Sequence, residues 1–214
     1  MPKQTVVSRY HHGNLRQSFI DAACEYLKHA SAESLSLREL AREIGVSQTA
    51  HYRHFKSKNA LFAAIAIDGF ELLHKVISEA QEKHEEDFSV TFTEVGLAYV
   101  NWAITNPEKY QMLHDSLLID IAQYPALLTA SKQSFEDLTN LIEKGIAIGF
   151  FIPRAVPELA GAMWVCVHGI ASLLMTRSKM LSAADVDNPA AQAIEQLSQD
   201  PRATIELLVQ SIRR

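Results

Sequence analysis

Residues 36–61 read SLRELAREIGVSQTAHYRHFKSKNAL, and they constrain the fold more tightly than any other stretch. Leu37, Leu40, Ala41 and Ile44 recur at the spacing of one helical face. Ser36 stands before them with Glu39 three residues on, the arrangement of a capping box. Gly45 stops this helix in a left-handed turn, and Val46 plugs the angle that follows. Ser47 then caps a second helix, expected from Gln48 to Phe55. Two short helices joined by a tight glycine turn predict a helix-turn-helix. The outer face of the second is polar, aromatic and basic, which is how such a unit presents a reading helix to the major groove of DNA.

Net charge at first argues against that partner, because the whole chain carries -5. The charge is unevenly spread, however. Residues 1–60 hold 9 Lys+Arg against 5 Asp+Glu, and the remainder holds 11 against 20. A basic head on an acidic body is the asymmetry expected when only the head meets phosphate.

The 214 residues, 48% hydrophobic, suffice for a substantial helical core. The pattern is helical almost throughout, with no strand run, repeat or low-complexity tract. A first helix runs from Asn14 to His29. A long one is capped by Ser57 and spans Lys58–Lys83, and 82–87 forms a charged hinge. Helices then follow at Val90–Thr105, after Asn106-Pro107, from Pro125 to Ile148, from Val156 to Arg177, over Pro189–Ser198, and after Asp200-Pro201. The expected division is 1–57, an arm plus DNA-binding head, and 58–214, a body entered through the connecting helix 58–83.

Cys24 and Cys166 allow no disulfide framework or zinc spacing and read as small buried hydrophobes. No apolar run follows Lys3, so no signal peptide is expected. Leu159–Met175 is apolar, but His168 and Ser172 interrupt it. It reads as a buried or shared helix rather than a membrane span, and the expected location is the cytoplasm.

The segment Tyr10–Leu73 resembles the DNA-binding domain of the TetR family of bacterial transcriptional regulators. The matching residues are His12-Gly13-Asn14-Leu15-Arg16, Ser36-Leu37-Arg38-Glu39-Leu40-Ala41, Gly45-Val46-Ser47, Tyr52-Arg53-His54-Phe55, Lys58 and Leu61. The body is similar to a subgroup marked by Trp164 followed by His168-Gly169, with Asn106-Pro107 and Tyr110. The resemblance implies an all-α protein, a three-helix head joined by a long helix to a ligand-binding and dimerisation body.

It also implies roles for single residues. Arg38 reaches a base edge, where arginine can bond guanine bidentately. Gln48 and Thr49 open the reading helix, glutamine suiting adenine and the threonine methyl suiting thymine. Tyr52, His54 and Lys58 clamp phosphates, and Ser36 and Ser47 lie at the same surface. Arg53 can serve bases or phosphates, and Lys3 and Arg9 of the arm can drape onto the duplex. Phe55 and Leu61 read as core and His51 as packing. Arg42 and Lys56 fit either solvent or DNA.

In the body, Trp164 and His168 share a helical face. They are either core packing or the walls of a small-molecule pocket completed by Tyr99, Trp102, Tyr110, Met112 and His114. His114 and Asp115 diverge around a helix, so no metal site is expected, and no cofactor. No phosphate loop or nucleophile elbow suggests an enzyme. Ala160, Met163, Val167, Ala171 and Leu174 form a candidate homodimer seam, with the last helix, 201–213, beside it. Two functions fit: a repressor released from a palindromic operator by a small apolar effector, or an architectural or partner-controlled DNA binder with no effector.

Overall fold

The computed structural model describes residues 14–114, 119–180 and 188–214. Lys3, Arg9, His12, Gly13, Asp115 and most of the 182–188 connector lie outside them. The chain is all-α. Its helices are α1 (Leu15–Leu27), α2 (Leu37–Glu43), α3 (Lys58–Lys83), α4 (Phe88–Thr105), α5 (Pro107–His114), α6 (Pro125–Ala147), α7 (Val156–Met180), α8 (Pro189–Gln199) and α9 (Pro201–Ile212).

Local chemistry sets most of these boundaries. Asn14, Ser57, Asp87, Asn188 and Asp200 each accept a backbone N–H of the following turn. Pro125, Pro189 and Pro201 stand in the first turn of their helices, where a missing N–H costs nothing. Two expected caps do not form: neither the Ser36 side chain nor that of Ser47 caps a helix. The Ser47 hydroxyl instead lies 3.4 Å from Thr49 Oγ1, and its carbonyl accepts Ala50 N–H.

Gly45 has φ +76°, as expected. Val46 N–H bonds to Ala41 C=O and Gly45 N–H to Arg42 C=O, a Schellman closure of α2. The segment after it departs from expectation. Only Ala50–Arg53 is helical, and it is a 3₁₀ turn rather than an α-helix from Gln48 to Phe55. His51 and Phe55 are both buried, and the His51 carbonyl accepts N–H from both His54 and Phe55. Up to His54 the bonds span three residues, Ala50 N–H to Ser47 C=O and Tyr52 N–H to Thr49 C=O among them, and only Phe55 closes a four-residue turn.

Two cores form, and α3 belongs to both. Leu61, Phe62 and Ile65 pack with Phe19, Ile20, Leu40 and Phe55 in the head. Leu73, two turns on, joins Val100, Ile142 and Phe151 in the body. α5 does the same: Met112 enters the head core while Tyr110 enters the body core. The face of α7 expected to form the dimer seam turns inward. Ala160, Met163 and Ala171 are buried in the protomer's own core, with Val167 and Leu174 packed against it. The helix is apolar all round, so periodicity could not choose its inner side.

An aromatic cluster closes the far end. The Phe151 ring lies 4.9 Å from Phe92, 5.0 Å from Phe150 and 5.7 Å from Phe88. Gly145 admits it, because a Cβ there would overlap the Phe151 ring and stand 2.9 Å from Phe88 Cε1. Gly145→Ala is expected to cost about 1–3 kcal/mol from overpacking, offset in part by about 1 kcal/mol of helix propensity. Thermal unfolding should show a lowered Tm; an equal or higher Tm would mean the ring cluster yields freely.

Candidate nucleic-acid interface and ligand cavity

The head gathers most of the predicted DNA-facing residues on its surface. Arg38, Ser47, Gln48, Thr49, Arg53 and His54 are exposed, and Tyr52 is 55% exposed. Their backbone is held from beneath. His51, 3% exposed, lies under Tyr52 with ring centroids 4.1 Å apart. Phe55 packs edge-on against Phe19 at 5.9 Å. Rigid support beneath exposed polar tips is what a reading surface requires.

Ser36 and Lys58 are half-buried. Lys58 Nζ donates to the Glu33 carbonyl at 2.7 Å and stands 6.0 Å over the Phe62 ring, so a phosphate would have to compete with that carbonyl. Arg16 is a further exposed cation at this surface, its guanidinium 5.8 Å over Phe55. In the sequence Arg16 stands out only as part of the His12–Arg16 motif, because no local spacing relates it to Phe55.

In the body, α3, α4, α5, α6, α7 and α9 line a cavity of ≈ 530 Å³. That volume is typical of a drug-sized ligand site. Three of the seven predicted residues line it: Tyr99, His114 and Trp164. Tyr110 and His168 stand directly behind, with Tyr110 Oη 2.6 Å from His168 Nδ1. Trp102 and Met112 do not contribute. Met112 is two residues from Tyr110, about 200° around α5, and so faces the head. Trp102 is buried where a Cβ on Gly69 of α3 would touch it, and its Nε1 has no hydrogen-bond partner among the described residues.

Much of the lining escaped sequence reading. Phe70, Leu73 and Ile77 come from α3, Phe92 from α4, and Phe135 and Leu138 from α6. As plain core-type hydrophobes they carried no distinguishing signal. Cys166 also lines the cavity, whereas a buried core position was expected. Cys24 is likewise half-buried, packed against the head core, and burial pushes its thiol up to about 12.

Polar groups gather at the α5 end. Tyr99 Oη lies 3.3 Å from His114 Nε2. The rings of His114 and His168 pack edge-on at 4.4 Å, and those of Tyr110 and His114 at 4.6 Å. Burial, with a smaller contribution from His168, lowers His114 to about 4. The folded protein therefore keeps this ring neutral, while the unfolded chain protonates it near 6.5. Stability is complete above that value and falls as pH drops from 6.5 toward 4, by up to about 3 kcal/mol from this group. His114→Gln should flatten the slope in this window, measured by denaturant unfolding from pH 7 to 4.5. Parallel pH profiles would contradict it.

Residues 19–65 match the family model of bacterial regulatory proteins of the tetR family. Residues 92–197 match that of the tetracyclin repressor-like C-terminal domain. A protein with unknown function from Rhodococcus sp. RHA1 has a similar structure, with a TM-score of 0.75 at 26% identity, covering 97% of this chain and 100% of that one. The TetR family transcriptional regulator PfmR from Thermus thermophilus gives 0.65 at 16% identity, covering 90% and 97%. A bacterial regulatory protein in the tetR family from Rhodococcus RHA1 gives 0.65 at 20% identity, covering 92% and 96%. At such identities the latter two speak for the fold alone. With a helix-turn-helix head and a helical body that are both matched, the chain belongs to the TetR family of bacterial transcriptional regulators.

Proposed function

We propose that this regulator is a homodimeric repressor that a small apolar effector releases from a pseudo-palindromic operator. The observation that carries the DNA part is the supported, exposed set Arg38, Gln48, Thr49, Tyr52, Arg53 and His54 on one helix-turn-helix surface. We assign Arg38, Gln48 and Thr49 to base edges. Ser36, Ser47, Tyr52, His54 and Lys58 go to phosphates, and Arg53 to either. We take 1–57 as the DNA-binding unit and 58–214 as the effector and dimer unit, with 58–83 serving both. The Trp164, His168, Gly169 pattern is our basis for placing the chain in one subgroup of the family.

The dimer reading rests on what α7 and α9 leave uncovered. Val165 is 62% exposed, Leu173 39% and Leu207 67%. Residues 156–177 are long and apolar enough to cross a membrane by length and composition. We assign that apolarity to a second copy instead, and the protein to the cytoplasm. Two-fold symmetry then requires half-sites about 34–36 Å apart, or a multiple of that.

The effector reading rests on the cavity. A closed, fully packed body would have favoured an architectural or partner-controlled DNA binder, and ≈ 530 Å³ of space weighs against it. Coupling has two routes. One is α3, shared by both cores. The other is α5, whose His114 lines the cavity while Met112 packs in the head. A polar chain ties the same helices: Lys109 Nζ lies 2.7 Å from Asp68 Oδ2, and Gln17 Nε2 of α1 donates to Asp68 Oδ1 at 3.3 Å. For release to follow, the effector must bind the mismatched arrangement more tightly than the DNA-bound one.

Binding to duplexes from the surrounding DNA, at several salt concentrations, tests this reading. Selective binding with a two-fold motif is expected. Arg38→Ala should cost about 1–3 kcal/mol on the preferred site and relax selectivity there. Lys58→Ala should weaken all duplexes alike and reduce the salt slope by about 1. Equal, salt-labile binding of the wild type to every duplex would put the architectural reading first.

A further inference from the structure

The cavity is chemically lopsided. Its body is apolar, walled by side chains such as Phe92, Phe135, Leu141 and Met163. Its α5 end is polar but uncharged, formed by Tyr99 and His114 with Tyr110 and His168 behind. Burial lowers both imidazoles and raises both phenols, so at neutral pH all four are uncharged. A carboxylate or ammonium brought there would shed its water and meet no ion of opposite sign.

Charge occurs elsewhere on the wall, and in both signs. Lys132 is exposed on α6. Asp137 lines the same helix one turn and a half away, and its carboxylate is already taken by His74 Nδ1 at 2.7 Å and Gln133 Nε2 at 3.1 Å. An anion at Lys132 would therefore share the wall with a carboxylate.

We propose that the cavity takes a neutral, mainly apolar molecule carrying one hydroxyl, seated against Tyr99 and His114. This rests on reading the cavity as the effector site. The hydroxyl follows from the tautomers of the Tyr99–His114 bond. If Tyr99 donates to His114 Nε2, its phenol oxygen, which the Trp164 indole N–H also faces, keeps a lone pair to accept. If His114 Nε2–H donates instead, the phenol O–H is available to donate to Tyr110 or to a ligand. A ligand hydroxyl does both and satisfies either arrangement, whereas an ether or a carbonyl satisfies only one.

Three biphenyl probes of one skeleton separate the possibilities, titrated calorimetrically into the full-length protein at pH 7.5 without DNA. Biphenyl is purely apolar, 4-phenylphenol adds the hydroxyl, and biphenyl-4-carboxylate carries charge. The phenol is expected to bind about fivefold to tenfold more tightly than biphenyl, the worth of one hydrogen bond, and at least as far ahead of the carboxylate. Tyr99→Phe, which keeps the ring, should reduce the phenol's advantage over biphenyl, and the double variant Tyr99→Phe with His114→Phe should abolish it. Carboxylate binding equal to or tighter than the phenol's, and lost in Lys132→Ala, would overturn the proposal in favour of an anionic amphiphile. Equal affinity for phenol and biphenyl, or no saturable binding of any probe, would also overturn it. If the phenol binds as expected but leaves DNA affinity unchanged, the ligand class stands and the effector reading fails.

Discussion

The fold depends on α3 being one unbroken helix buried in two cores. Its 26 residues span about 39 Å at the α-helical rise. Leu61, Phe62 and Ile65 are held in the head, and Leu73 in the body. Neither end can rotate alone, because close-packed interiors transmit displacement instead of absorbing it. α5 adds a second constraint from the side, with Met112 fixed among head residues and Tyr110 among body residues. Both α3 and α5 also line the cavity, so two packed routes lead from it to the head. Packed interfaces of this kind move between discrete arrangements, which is how small shifts become switches.

The two ends of the molecule follow opposite electrostatic rules. The head concentrates positive charge on long, solvated side chains, where it can exchange counterions for phosphate. The cavity end near α5 excludes charge, holding tyrosine and histidine neutral in a desolvated cluster. Nothing in the overall charge of -5 separates these environments. The basic head shows in the distribution of charge along the chain, whereas the neutral cluster emerges only in the folded body.

How much was legible beforehand follows the range of the forces involved. Helix starts at Ser57, Pro125 and Asp200 were readable because capping and proline chemistry act within one turn. The Gly45 turn was readable for the same reason. Burial of His51 and Phe55 was readable too, but not the 3₁₀ form of their segment, because residues four apart share a face in an α-helix and the spacing alone cannot separate the two helix types. Tyr99, His114 and Trp164 were found at the cavity, while Trp102 and Met112 were misplaced. Helical spacing groups residues by face, but only the crossing of α5 over α3 decides which face meets the cavity. The expected α7 seam faces inward because an all-apolar helix has no periodicity to orient it.

The central claim is that cavity and DNA surface are thermodynamically coupled, and coupling must be reciprocal. The most direct measurement is calorimetric titration of a cavity ligand into the free protein and into the protein saturated with its preferred duplex. The account predicts weaker ligand affinity on DNA, by the same factor as the ligand weakens DNA binding, in the range of about 5–150-fold. Equal ligand affinity in the two titrations would contradict it.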